Sequence, residues 1–190
     1  MLSNSFWASY IALKPSSDYA CRLLNDIHQH LSDVSKHISF HEAEYLHLTL
    51  LYLGWTNSEH AKAVSNILKK ASVFLNQLDL QFTGEVRLFG WEKKQEDLVL
   101  LIDDKNGFLH QLQVFLTNSC IKYGIHFNQQ DFIPHITIGK VNINKTNRIV
   151  DQMSIPILKE KVDIHDLCLL ESICMSRKVS SIKEEINEEY

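Results

Sequence analysis

One short pattern is written twice in this chain, as "YLHLTLLYLG" around His47 and Thr49 and as "FIPHITIGK" around His135 and Thr137. In both copies an apolar run of strand length carries a histidine and, two residues on, a threonine. Side chains alternate between the faces of a strand, so residues i and i+2 share a side. His47 and Thr49 are therefore expected on one face with Leu51, with Leu46, Leu48 and Leu50 on the other. His135 and Thr137 repeat the arrangement, with Ile136 and Ile138 opposite. Such a strand needs an apolar cover on one side and a polar partner on the other.

The surroundings of the motif repeat as well. "FWASYIAL" (6–13) reads as a strand ending at Lys14-Pro15. "SSDYACRLLNDIHQHLSDV" (16–34) opens with capping residues and places Ala20, Leu23, Leu24, Ile27, Leu31 and Val34 at helical spacing. The first motif strand spans 44–54 and closes at Gly54. Asn57 and Ser58 then cap a helix striped by Ala61, Val64, Ile67, Leu68, Ala71, Phe74 and Leu75. After a further strand bent at Gly84 the order restarts. "DLVLLID" (97–103) is a strand, 107–124 is a helix with Phe108, Leu112, Phe115 and Leu116 on one face and Gly124 as its stop, and the second motif strand follows. From Phe6 to His47 is 41 residues and from Leu98 to His135 is 37. Each half thus reads strand, helix, motif strand, which is the mark of internal duplication. "VDIHDLCLLESI" supplies a last strand. The reading is one domain over 1–176, then an acidic tail over 177–190 that frays or forms a terminal helix.

Two histidines on facing strands are suited to phosphodiester chemistry. In-line displacement at phosphorus wants a base on the attacking oxygen and an acid on the leaving oxygen, and imidazole can fill either role near neutral pH. Threonine hydroxyls beside them would donate to non-bridging phosphate oxygens. With Pro134 before the second motif and Gly139-Lys140 after it, the ordered pair resembles the two-histidine (2H) phosphoesterase superfamily, and most of all its LigT-like branch of 2′-5′ RNA ligases and RNA 2′,3′-cyclic phosphodiesterases. The resemblance covers most of residues 6–174. It implies an α+β, bilobal fold with two pseudo-symmetric lobes of mainly antiparallel sheet, outer helices and a central cleft. It further implies a metal-independent phosphodiesterase with catalytic His47, Thr49, His135 and Thr137, no cofactor, and a substrate that is a nucleotide, cyclic nucleotide or short RNA.

Composition narrows the partners. A net charge of −4 over 190 residues disfavours an extended basic surface for long nucleic acid, so short substrates are expected to serve about as well as long ends. Cys21, Cys120, Cys168 and Cys174 lack CxxC spacing, and no basic segment leads into a long apolar run. A cytoplasmic protein, without membrane contact or obligate protein partner, is the expectation. Tyr10, Trp55, Trp91 and Phe132 are aromatics able to stack a base, although core packing explains each singly. Tyr10 and Phe132 stand out because they flank the motif strands, and Lys140 because it follows one. Arg148, Arg177 and Lys178 are weaker phosphate contacts. His28, His30, His37, His41, His60, His110, His126 and His165 show no HExxH or HxxEH spacing, so metal ligation is not expected. Two rivals remain open: a hydrolase of cyclic or 2′-5′ signalling oligonucleotides in antiviral pathways, and a nucleotide-binding protein with a degenerate site.

Overall fold

The chain, in a computed structural model, is described over residues 7–90, 95–129, 131–142, 160–172 and 180–181. Its elements are β1 (Trp7–Pro15), α1 (Ser17–His30), β2 (Ile38–Phe40), β3 (Leu48–Thr56), α2 (Ser58–Ala71), β4 (Leu80–Phe89), β5 (Gln95–Asp104), α3 (Phe108–Lys122), β6 (His135–Asn142), β7 (Ile164–Ser172) and β8 (Ser180–Ser181). They form two antiparallel four-stranded sheets, ordered β3-β1-β7-β8 and β2-β6-β5-β4. This is the α+β arrangement expected, with one refinement. The halves exchange strands, because β2 precedes the first motif yet joins the second sheet, and β7 comes after the second motif yet joins the first.

Local chemistry sets the helix ends. The Ser16 hydroxyl accepts from the Tyr19 amide at 3.4 Å and the Asn57 side chain from the His60 amide at 2.9 Å, each satisfying an otherwise unpaired donor of the first turn. At α3 the cap is borrowed from β5, where the Asp104 carboxylate accepts from the amides of Leu109 and His110. Helix α1 ends at His30, short of the expected Val34. The chain unwinds through a 3₁₀ turn at Ser35–His37, while Leu31 and Val34 stay buried, so their helical spacing reported burial and not helix length. Phe74 and Leu75 likewise lie past α2, in a 3₁₀ segment over Ser72–Gln77. The core joins Ile11 and Leu13 of β1, Leu48 and Leu53 of β3, Leu98 and Leu100 of β5 and Ile136 and Ile138 of β6 with the buried stripes of the helices.

Pairing registers correct the simple alternation of the motif strands. Thr49 faces Ala12 across the ladder and Leu51 faces Ile11, so Leu50 is an extra residue. In β6, Thr137 faces Val99 and Gly139 faces Leu98, so Ile138 is extra. Each bulge falls one residue after the motif threonine and reverses the parity of the strand beyond it. Leu51 therefore goes with Ile11 to the core, contrary to expectation, and Tyr52 takes the motif face. Gly139 turns toward the core side, and Lys140 joins His135 and Thr137. The glycine is required there: a Cβ at Gly139 would lie 2.6 Å from the Ser39 carbonyl oxygen and 2.9 Å from the Phe40 Cα, so only a bare backbone lets β2 close on β6.

The motif strand expected over 44–54 begins only at Leu48, after a 3₁₀ turn at Ala43–Tyr45, and His47 sits just ahead of it. Ser180 and Ser181, expected in a frayed or helical tail, pair with Glu171 and Leu170 as a short strand. The rest of 177–190 lies outside the described residues.

Candidate active site

The two motif histidines are held in the same way. His47 Nδ1 lies 2.7 Å from the Tyr45 carbonyl oxygen and His135 Nδ1 2.6 Å from that of Ile133. A carbonyl oxygen only accepts, so Nδ1 is the donor in each ring and Nε2 is the nitrogen left to exchange a proton. Both locks come from the residue two before the histidine, in the short segment leading into the strand. An aromatic ring packs on each imidazole. Tyr10 lies tilted against His47 with centroids 4.9 Å apart, and Phe89 meets His135 edge-on at 5.0 Å.

Between the sheets opens a cavity of about 740 Å³, lined by Thr49 and Tyr52 of β3, Phe89 of β4, His135 of β6, and Asp131 and Phe132 of the loop before it. His47 and Thr137 are not part of its wall. Thr137 shares the face of His135 by register, and His47, just ahead of β3, reaches the face of Thr49 by packing on Tyr10, which the ladder places on that side of β1. The imidazoles share an electrostatic environment. Burial lowers the His47 pKa to about 4, against the pull of the Tyr45 carbonyl, and His41, Lys14 and His135 add repulsion. His135 is also lowered by burial, but the Ile133 carbonyl and the Asp97 carboxylate hold its proton more firmly.

Of the expected binding residues, Tyr10 is buried against His47, Phe132 lines the cavity, and Lys140 lies on the motif face with its Nζ 3.7 Å from Asp97 Oδ1. Trp55, for which core packing was the first expectation, is 71 % exposed. Trp91, Arg148, Arg177 and Lys178 lie outside the described residues. Among the described residues, no three His, Cys, Asp or Glu side chains gather where they could hold a metal ion, and no helix is long and apolar enough to cross a membrane.

No protein-family model and no curated protein matches the sequence. Solved structures do match it over nearly its whole length. TT0787 of Thermus thermophilus aligns with a TM-score of 0.63 at 15% identity, covering 93% of this chain and 95% of that one. The MHV ns2 PDE domain aligns at 0.59 and 14%, covering 86% and 99%. Apo LigT of E. coli aligns at 0.56 and 16%, covering 94% of each chain. The chain has the two-histidine phosphoesterase fold. LigT has also been crystallised with 3′-AMP and with NADP+, in structures that align at 0.51 and 0.52.

Within this two-histidine phosphoesterase fold several cleft residues escaped the sequence reading. Phe89, Asp97 and Arg87 come to the face of His135 and Thr137 through cross-strand pairing, with Asp97 opposite both Lys140 and Phe89, and Arg87 opposite Val99. Lys14 acts electrostatically on His47. The one signal that could have found them is the strand pairing itself, which a single sequence does not carry.

Proposed function

We propose that the chain is a phosphodiesterase acting on nucleotide or RNA phosphodiesters, at 2′,3′-cyclic phosphate ends or 2′-5′ linkages. His47 is the general base and His135 the general acid, and Thr49 and Thr137 hold the non-bridging oxygens. The observation that carries this reading is the matched pair of Nδ1–carbonyl locks. His30 Nδ1 meets the Asp26 carbonyl in a like way on the surface of α1, so it is the pairing that matters: two motif histidines, each locked from two residues before and each left with Nε2 free to exchange a proton, as an acid–base pair requires. LigT crystallised with 3′-AMP supports a nucleotide as ligand.

For a cyclic phosphate, His47 Nε2 takes the proton of the attacking water as its oxygen bonds to phosphorus. The bond to the ribose oxygen breaks, and His135 Nε2–H supplies the proton that oxygen needs. The threonine hydroxyls donate to the oxygens on which charge is held. The roles follow from surroundings. His47, buried beside cationic Lys14, is kept neutral, while Asp97 favours the protonated form of His135. This assignment maximises the fraction of enzyme carrying the right protons.

A panel of 2′,3′-cyclic mononucleotides and 2′-5′ dinucleotides, with products identified by mass, tests the reading. Cleavage of at least one class by wild type, abolished in His47→Ala and His135→Ala, is expected. Folded protein that cleaves none of them would overturn it.

A further inference from the structure

The strand that carries His47 and Thr49 continues outward with two exposed rings. Tyr52 is 41 % exposed and Trp55 71 %. Simple alternation from Thr49 would send residues 51, 53 and 55 to the motif face. The ladder does otherwise, because β3 bulges twice against a regular β1: Thr49 faces Ala12, Tyr52 faces Tyr10 and Trp55 faces Ala8. Leu50, Leu51, Leu53 and Gly54 are the residues between, and the three leucines are buried in the core. Ala12, Tyr10 and Ala8 are two residues apart on one side of β1. Thr49, Tyr52 and Trp55 are therefore spaced at steps of roughly 7 Å along one face.

We propose that Tyr52 and Trp55 are a stacking track for successive bases of a single-stranded oligonucleotide whose scissile phosphate lies at the His47–His135 pair. The inference rests on the phosphodiesterase reading and extends it to substrate class. The track is continuous with the site, since Tyr52 lines the cavity that Thr49 and His135 also line. Its step suits an extended strand with unstacked bases, and sequence-tolerant ring stacking is a usual means of holding such strands. On this face of the first sheet, the exposed large apolar side chains among the described residues are these two rings in single file. A docked protein would call for a broader patch. The expectation from net charge that short and long substrates fare alike is revised accordingly. Bases beyond the scissile phosphate improve turnover, and they do so by stacking, so the gain is insensitive to salt.

The test compares a 2′,3′-cyclic mononucleotide with a tetranucleotide bearing the same cyclic end, in wild type, Trp55→Ala and Trp55→Phe, alongside quenching of tryptophan fluorescence by an uncleavable DNA tetramer. Wild type should show a higher kcat/KM for the tetramer at low and high salt. Trp55→Ala should lose about tenfold or more on the tetramer and nothing on the mononucleotide, Trp55→Phe should keep most of the gain, and the quench should vanish in both variants. No length gain in wild type, or a gain kept in Trp55→Ala, overturns the track. So does a change of oligomeric state in Trp55→Ala with oligonucleotide binding intact, which would make this face a protein interface. If wild type cleaves neither substrate but the quench depends on Trp55, the track stands and the phosphodiesterase reading fails.

Discussion

Counted along the ladders from each motif threonine, the two sheets correspond residue by residue. Ala12, Ile11 and Tyr10 of β1 stand to Thr49, Leu51 and Tyr52 as Val99, Leu98 and Asp97 of β5 stand to Thr137, Gly139 and Lys140. Bulge, histidine lock and aromatic neighbour recur in both. The difference falls on the charged positions. The first lobe has Tyr10 where the second has Asp97, and Tyr52 where the second has Lys140. One backbone plan thus makes two histidines of opposite habit, one kept neutral by burial and nearby cations, the other sharing its surroundings with a carboxylate. The shared backbone plan gives the geometry, while burial with Lys14 at His47 and Asp97 at His135 give the polarity.

That comparison breaks most directly at the histidines. His47→Ala and His135→Ala should each lose at least about 10²-fold in kcat/KM on a natural nucleotide substrate while remaining folded by thermal melt. With a p-nitrophenyl ester, whose leaving oxygen needs no proton, His135→Ala should recover most of its activity and His47→Ala should not. Recovery of the opposite variant would exchange the roles.

The next contrast is in stability. Between the ordinary histidine pKa of 6.5 and the His47 value of about 4, the unfolded chain binds a proton that the folded chain refuses. Stability therefore falls as pH drops through that window, by about 2–3 kcal/mol from this group. Melts of wild type and His47→Gln at pH 7.5 and pH 4.5 check this, the variant showing the smaller loss. In the second lobe, Gly139→Ala should cost about 1–3 kcal/mol through overpacking against β2. Gly107→Ala, with open space around its Cβ, should cost only its positive-φ strain of about 1 kcal/mol. Denaturant midpoints separate the two.

Asp97→Asn sharpens the electrostatic side. Without the carboxylate the His135 pKa falls further, so the alkaline limb of the kcat/KM profile should move to lower pH, with the acid limb unmoved. A shift of the acid limb instead would uncouple Asp97 from His135. The smallest effect is expected from EDTA, which should leave the rate of wild type unchanged. Loss on chelation with recovery on adding zinc would replace the two-histidine scheme.

The motif pair was legible because period-two alternation and repetition both speak through single residues, and the helices because Ser16, Asn57 and Gly124 mark their ends locally. The bulges were not. A single unpaired residue leaves no trace in an apolar run such as "LTLLYL", yet it decides whether Leu51 or Tyr52 shares the ladder side of Thr49, and whether Gly139 or Lys140 shares that of Thr137. Strand β2 was missed because three residues, Ile38–Phe40, are too few to show alternation; what makes it a strand is the bare backbone of Gly139. Asp97 and Phe89 were invisible for a related reason. Their partner lies some forty residues onward, and only the ladder brings them to it.

The placement of β2 also bears on how far the cleft can open. This strand belongs to the second sheet, where Ile38, Ser39 and Phe40 pair with Val141, Lys140 and Gly139, and the His41 amide donates to the Ile138 carbonyl. From there six residues, 41–46, lead to His47 at the mouth of the first sheet, and Tyr45 within them supplies the carbonyl that orients its ring. The first histidine is thus tethered by a short strap to the strand that carries the second. Swinging the lobes apart as rigid bodies would have to peel β2 from β6 or drag the Tyr45 lock off its imidazole. The covalent chain limits the gap between the two Nε2 nitrogens, like the stop on a caliper. Substrates of different size must therefore be accommodated beyond that gap, along the walls and the outer strand.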